Sequence, residues 1–244
     1  MRVLLLGGTA EGRALAKALH PQVDIVSSLA GRVPHPALPV GPVRVGGFGG
    51  VEGLRGWMHE ERIDAVVDAT HPFAATMTAH AAQVCGELHV PYLVLARPAW
   101  DPGPATVVAS DGEAAKEVDR EGYSRIFLTT GRSAVKAFAD SDAWFLIRAV
   151  TAPDDDQLPR RHQLLLSRGP YHYDDELRLL TEHRINALVT KNSGGGMTRG
   201  KLDAAVALDI PVVMVARPQL PDRVMTVGTV DEAACWVAAL PGQD

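Results

Sequence analysis

Three stretches of this chain occur twice, in the same order and at a nearly constant spacing of about 120 residues. Val3-Leu4-Leu5-Leu6 running into Gly7-Gly8-Thr9 is matched by Ile126-Phe127-Leu128 running into Thr129-Thr130-Gly131-Arg132. The run from Ile63 to Phe73 is matched by the run from Ile185 to Gly194, and Pro91 to Pro98 by Pro211 to Pro218. A constant offset across three elements is hard to obtain by chance and implies two structurally similar halves. Within each half, short apolar runs alternate with segments of helical period, the pattern of a parallel sheet covered on both faces. The expected fold is therefore α/β, with two similar Rossmann-like halves and a cleft between them. The expected division is residues 1–110 and 111–244, with the boundary inside 100–124. The pattern leaves open whether terminal segments are exchanged between the two sheets.

The first turn, Gly7-Gly8-Thr9-Ala10-Glu11-Gly12-Arg13, carries a strand directly into a helix through two glycines. Such a turn brings backbone close to a phosphate, and the helix N-terminus adds free N–H groups and partial positive charge. An ordinary strand-to-helix turn is the plainer reading. The dinucleotide fingerprint has a third glycine where Thr9 stands. An acidic residue for ribose hydroxyls is also missing from the end of the second strand, which holds Ser27-Ser28 with Arg32 just beyond. Hydroxyls and a guanidinium suit a 2′-phosphate, so the pattern favours NADP over NAD. Gly46-Gly47-Phe48-Gly49-Gly50 after the third strand fits either a close approach to that cofactor or a flexible connector.

Ligands of open parallel sheets bind beyond the carboxyl ends of the strands. Thr70-His71-Pro72 ends the fourth strand there, and His71 fits either a proton donor or a cap for a helix begun at Pro72. In the second half Thr130, Gly131, Arg132, Arg148, Arg168, Lys191, Asn192, Ser193, Gly194, Arg199 and Lys201 gather at predicted strand ends. Consecutive N–H groups in the 191–196 loop, with Lys and Arg nearby, suit carboxylates or phosphates. Any single Arg reads equally well as solvated rim.

Exclusions come from composition and spacing. A formal net charge of −5 argues against general nucleic-acid binding. The acidic excess sits in the first half, so an anion site in the second must come from local clustering. The only cysteines, Cys85 and Cys235, are far apart, with no ligand spacing around them. They read as buried thiols with no structural metal. No apolar run reaches membrane-spanning length, and the cytoplasm is the expected location. No tyrosine is followed four residues later by lysine, so a hydride transfer would proceed without that pair. No G-x-S-x-G elbow or P-loop is present either.

The motifs at 7–13, 27–32, 45–50, 68–74, 97–100, 129–132, 168–171 and 191–195 together resemble the precorrin-6A reductase family of cobalamin biosynthesis, cobalt-precorrin counterparts included. Asp-Ala-Thr-His-Pro-Phe-Ala at 68–74 and Lys-Asn-Ser-Gly-Gly at 191–195 are the most specific. The resemblance implies an NADPH-dependent reductase that removes one double bond from a tetrapyrrole bearing many carboxylates. It implies an NADPH-binding first half, with Gly7, Gly8, Thr9, Glu11, Gly12, Arg13, Ser28, Arg32, Gly46, Gly47, Phe48, Thr70 and His71 toward the cofactor. The second half would bind the substrate, with Thr130 to Arg132, Arg148, Lys191 to Gly194 and Lys201 toward it. Lys201, Lys191 and His71 are the candidate proton donors. A monomer or homodimer is expected. Two readings compete: a non-catalytic NADP-binding sensor, motivated by the missing Tyr/Lys pair, and an NADP-dependent reductase of another polyanionic small molecule.

Overall fold

The structure, a computed structural model, describes residues 1–31 and 36–241. It divides into two units: Met1–Pro98 with Pro218–Asp244, and Ala99–Arg217. In the first unit β1 (Arg2–Leu6) leads to α1 (Ala10–Leu19), β2 (Asp24–Leu29) and β3 (Val43–Val45). Then follow α2 (Gly50–Glu60), β4 (Ala65–Asp68), α3 (Ala75–Leu88) and β5 (Tyr92–Leu95). The second unit holds β6 (Thr106–Val108), α4 (Asp111–Arg120), β7 (Arg125–Leu128), a 3-10 segment (Arg132–Phe138) and β8 (Trp144–Ala149). It continues with β9 (Arg161–Leu166), α5 (Tyr173–Glu182), β10 (Ala187–Lys191), α6 (Gly200–Ala207) and β11 (Val212–Val215). The chain then returns to the first unit as β12 (Met225–Val227) and α7 (Val230–Ala238).

Among the described residues both sheets have six strands, in the orders β12-β5-β4-β1-β2-β3 and β6-β11-β10-β7-β8-β9. Every pairing is parallel, so the two α/β halves read from the repeat are present. The units differ from the division at 110 and 111. After Arg97-Pro98 the chain enters the second sheet as β6, paired Val213↔Thr106 on β11. After Arg217-Pro218 it enters the first as β12, paired Met225↔Leu93 on β5. Each sheet thus ends in a three-residue strand taken from beyond the other unit's Arg-Pro. Strands this short carry no face pattern that assigns them to a sheet.

The apolar strands are continuous because both faces of the sheet are covered. Val3 and Leu5 pack with Leu15 of α1 and Ala233 and Val237 of α7. Leu4 and Leu6, pointing the other way, pack with Leu54 and Met58 of α2 and Ala81 and Val84 of α3. In the second unit Phe127, Leu146 and Leu188 meet Leu180 of α5 and Ala204 and Ala205 of α6. Cys85 of α3 lies in the first unit's interior, beside Val84, where burial pushes its thiol up to about 12. Cys235 instead lies on the exposed face of α7, contrary to the expectation that both thiols are buried. Among the described residues no helix is long and apolar enough to cross a membrane.

Candidate functional site

At the carboxyl edge of the first sheet, Thr9 is the N-cap of α1. Its hydroxyl accepts from the Gly12 N–H at 3.0 Å and donates to the Ala69 carbonyl at 2.6 Å, tying the helix start to the end of β4. A glycine in that place offers neither bond, which accounts for the departure from the three-glycine fingerprint. Gly8 takes φ +114 with nothing within 4 Å of an added Cβ. A Cβ on Gly12 would touch Ala69, Thr9 and Gly7 at 3.4 to 3.5 Å. Glu11 pairs with Arg97 at 2.9 Å, joining the first turn of α1 to the end of β5. Arg13, also near the α1 start, makes no ion pair among the described residues, although cations there oppose the helix dipole.

Ser28, next to last in β2, pairs with Arg44 of β3. Arg44 Nη1 donates to Ser28 Oγ at 2.8 Å and to the Gly46 carbonyl at 3.0 Å, and Nη2 donates to the Gly47 carbonyl at 3.1 Å. Its guanidinium lies 3.8 Å from the centre of the Phe48 ring. An added Cβ on Gly46, Gly47 or Gly49 meets nothing within 4 Å, so this loop borders open space rather than packed side chains. Arg32, expected beside Ser28, lies outside the described residues.

The end of β4 is held by a carboxylate that sequence reading did not single out. Asp68 is buried and accepts from Thr70 N–H at 2.9 Å, Thr78 Oγ1 at 2.7 Å and Tyr92 Oη at 3.0 Å. Burial first, and then the Asp68 charge, push the Tyr92 phenol far up, so it stays a donor. The segment after it forms a turn: Phe73 N–H donates to His71 Nδ1 at 3.2 Å and Ala74 N–H to the His71 carbonyl at 2.7 Å. The helix starts only at Ala75, with Ala74 as N-cap and no side-chain bond. His71 therefore caps a turn, not a helix begun at Pro72. Asp68→Ala leaves three donors without their charged acceptor and is expected to cost about 3 kcal/mol, measured as a fall in the denaturant midpoint at unchanged slope.

At the carboxyl edge of the second sheet, much of the expected basic cluster is already partnered. Arg148 forms a two-pronged bond to Glu176 at 2.6 and 3.0 Å, both side chains almost wholly buried. Its guanidinium stacks 3.9 Å from the Tyr171 ring, and its fork is occupied by protein rather than open to a ligand carboxylate. Lys191 pairs with Asp111 at 3.3 Å. The Asn192 amide is spent on Trp100, accepting from its N–H at 2.8 Å and donating to its carbonyl at 2.9 Å. Trp100 Nε1 donates to the Gly195 carbonyl at 2.7 Å, and Arg217 donates to the carbonyls of Asn192 and Ser193. These bonds pin the 191–196 loop, and neither Trp100 nor Arg217 was a sequence candidate. The signal available was the repeated Arg-Pro, since Arg97 and Arg217 each brace the edge of their own sheet.

Lys201 is the exception. It is 5% exposed, and among the described residues its ammonium donates one hydrogen bond, to the Thr198 carbonyl at 2.6 Å. The Trp100 ring centre lies 4.8 Å away. Burial lowers its pKa to about 7, with Glu176 pulling upward and Arg148 adding to the fall. An ammonium with unused donors, held near neutrality, is equipped to release a proton. Thr130 Oγ1 is buried with no partner, and Gly131 takes φ +85. Arg132 and Arg168 are exposed and make no ion pair among the described residues. Gly194 is buried within the pinned loop.

The family model for Precorrin-6x reductase CbiJ/CobK matches residues 2–238. The chain is 75% identical to the precorrin-6A reductase of Mycobacterium tuberculosis over 242 residues, covering 99% of each. It is 53% identical to that of Rhodococcus erythropolis over 244 residues, covering 98% of each. The solved structure of a CobK precorrin-6A reductase matches with TM-score 0.90 at 34% identity, covering 98% of this chain and 96% of that one. On these grounds the chain belongs to the precorrin-6x reductase family CbiJ/CobK.

Proposed function

We propose that this chain reduces one double bond of the precorrin-6A macrocycle to give precorrin-6B, a step of cobalamin biosynthesis, with NADPH as reductant. The reaction class, an oxidoreductase acting on a CH–CH group, rests on identity to precorrin-6A reductases along the whole chain. The observation that carries the cofactor is the first sheet's carboxyl edge. It combines a capped helix N-terminus, a left-handed Gly8 and a loop where a Cβ on Gly46 or Gly47 would fill only open space. Those features fit a dinucleotide laid against backbone.

Gly7, Gly8 and Gly12 let the chain approach the pyrophosphate, while the α1 N–H groups and Arg13 balance its charge. Glu11 acts through Arg97, fixing the first turn. Ser28, Gly46, Gly47 and Phe48 border the adenosine, and Thr70 and His71, set by Asp68, border the nicotinamide end. NADPH, when bound, supplies the hydride. In the second unit Arg132, Thr130, Ser193 and the Gly194 backbone take substrate carboxylates, while Arg148, Lys191 and Asn192 hold the walls of that edge. Lys201 is preferred over Lys191 and His71 as proton donor, because its ammonium is desolvated and titrates near neutral pH. The rest of the task is orientation and stabilisation of charge developing on the macrocycle.

Purified protein given NADPH and precorrin-6A, in metal-free and cobalt forms, is expected to oxidise the nicotinamide only when substrate is present. The tetrapyrrole should gain two hydrogens. No substrate-dependent oxidation with either form would overturn the reading. Oxidation with another polyanion alone would shift it to a different reductase.

A further inference from the structure

Among the described residues Arg44 is a cation without an anion. Its three acceptors among the described residues, Ser28 Oγ and the carbonyls of Gly46 and Gly47, are all neutral, and it forms no ion pair with any of those residues. Partial burial lowers its pKa from the usual value, a desolvation cost that no carboxylate among the described residues offsets. The group is also fixed. One face lies on Phe48, and Phe48 is braced edge-on against Trp57 at 5.4 Å. The bonds to protein occupy both Nη1 protons and one on Nη2. They leave the Nε–H and the second Nη2–H without a protein acceptor among the described residues. N–H groups left over on a guanidinium plane held this way are donors that phosphate oxygens accept.

Its location specifies which phosphate. In a parallel sheet of this type the pyrophosphate lies at the turn after the first strand, and the adenosine ribose beside the end of the second. Arg44 pairs in register with Ser28 at that end and bonds to its hydroxyl. The acid of β2, Asp24, lies at the strand's opposite end. We propose that Arg44 reads the 2′-phosphate of the dinucleotide and so selects NADPH over NADH. This rests on the dinucleotide reading above and assigns the selection to a residue that the glycine motifs do not contain.

The test is calorimetric titration of wild type, Arg44→Leu, Arg44→Lys and Arg32→Ala with NADPH and NADH. Wild type is expected to prefer NADPH. Arg44→Leu should weaken NADPH by about 10- to 100-fold and leave NADH nearly unchanged, while Arg44→Lys keeps part of the preference. Because Arg44 also ties down Gly46 and Gly47, a purely structural role would weaken both dinucleotides alike and preserve their ratio; that result overturns the proposal. So does a preference lost in Arg32→Ala and kept in Arg44→Leu. Wild type that binds both equally overturns the NADPH reading itself, a separate failure. Should Arg44→Leu not fold, amide exchange across residues 43–48 of wild type decides. Stronger protection by 2′,5′-ADP than by 5′-ADP supports the assignment, and equal protection overturns it.

Discussion

Lys201→Met is expected to lower kcat on precorrin-6A by about 100-fold or more and to erase a pH dependence expected of the wild type. The Lys201 ammonium is buried with one hydrogen bond among the described residues, and its pKa falls to about 7. If it gives the proton, kcat/KM must fall as pH rises through about 7, because the neutral amine has none to give. In the complex, substrate carboxylates favour the charged form, so the kcat limb lies at higher pH than the kcat/KM limb. Stability runs the other way. Between about pH 7 and the ordinary lysine value of 10.5, the unfolded chain keeps a proton that the folded chain has lost, so stability rises with pH across that window. Lys201→Met should flatten both trends. An unchanged kcat would remove Lys201 from the reaction. A lowered kcat whose alkaline limb persists would assign that limb to another group.

The second large effect is expected on Glu176. Glu176→Ala strands the buried Arg148 guanidinium without its carboxylate, which costs about 3–5 kcal/mol and lowers Tm by about 10 °C. The same change removes the charge that holds the Lys201 pKa up, so the alkaline limb of kcat/KM should begin at lower pH. Glu176→Gln separates the two roles: it keeps the shape and one of the two hydrogen bonds from Arg148 while losing the charge, and should move the pH limb with a smaller loss of Tm than the alanine change. The double change Arg148→Met with Glu176→Leu should recover most of the stability, since a buried pair replaced by apolar volume is often neutral. A pH limb that stays at its wild-type position in Glu176→Gln would limit Glu176 to holding the fold.

The first turn was legible in the sequence because its requirements are local. Gly8 needs φ +114, and Gly12 needs a close approach to Ala69. The parallel sheets were legible because strands buried on both faces carry unbroken apolar runs, as Val3 to Leu6 do. What escaped depends on register or on distant partners. Arg44 matters because β2 and β3 set it opposite Ser28. Asp68 matters because Thr78 and Tyr92, on α3 and β5, converge on it. The basic stretches of the second half looked like an open anion site because charge, not pairing, is visible in a string of letters. Glu176 and Asp111 take up Arg148 and Lys191 from elements far away in sequence. The exchange of β6 and β12 escaped for a related reason: three residues, two of them exposed, pair wherever the chain after Arg-Pro delivers them.

The central claim is that a hydride passes from NADPH to the precorrin-6A macrocycle on this protein. It is tested most directly with NADPH carrying deuterium at both C4 positions, followed by mass spectrometry of the tetrapyrrole product. The account predicts that each product molecule carries one deuterium, with the second added hydrogen coming from solvent-exchangeable sites. A reduced product without deuterium from the cofactor, or cofactor oxidation without change in the macrocycle, would contradict it.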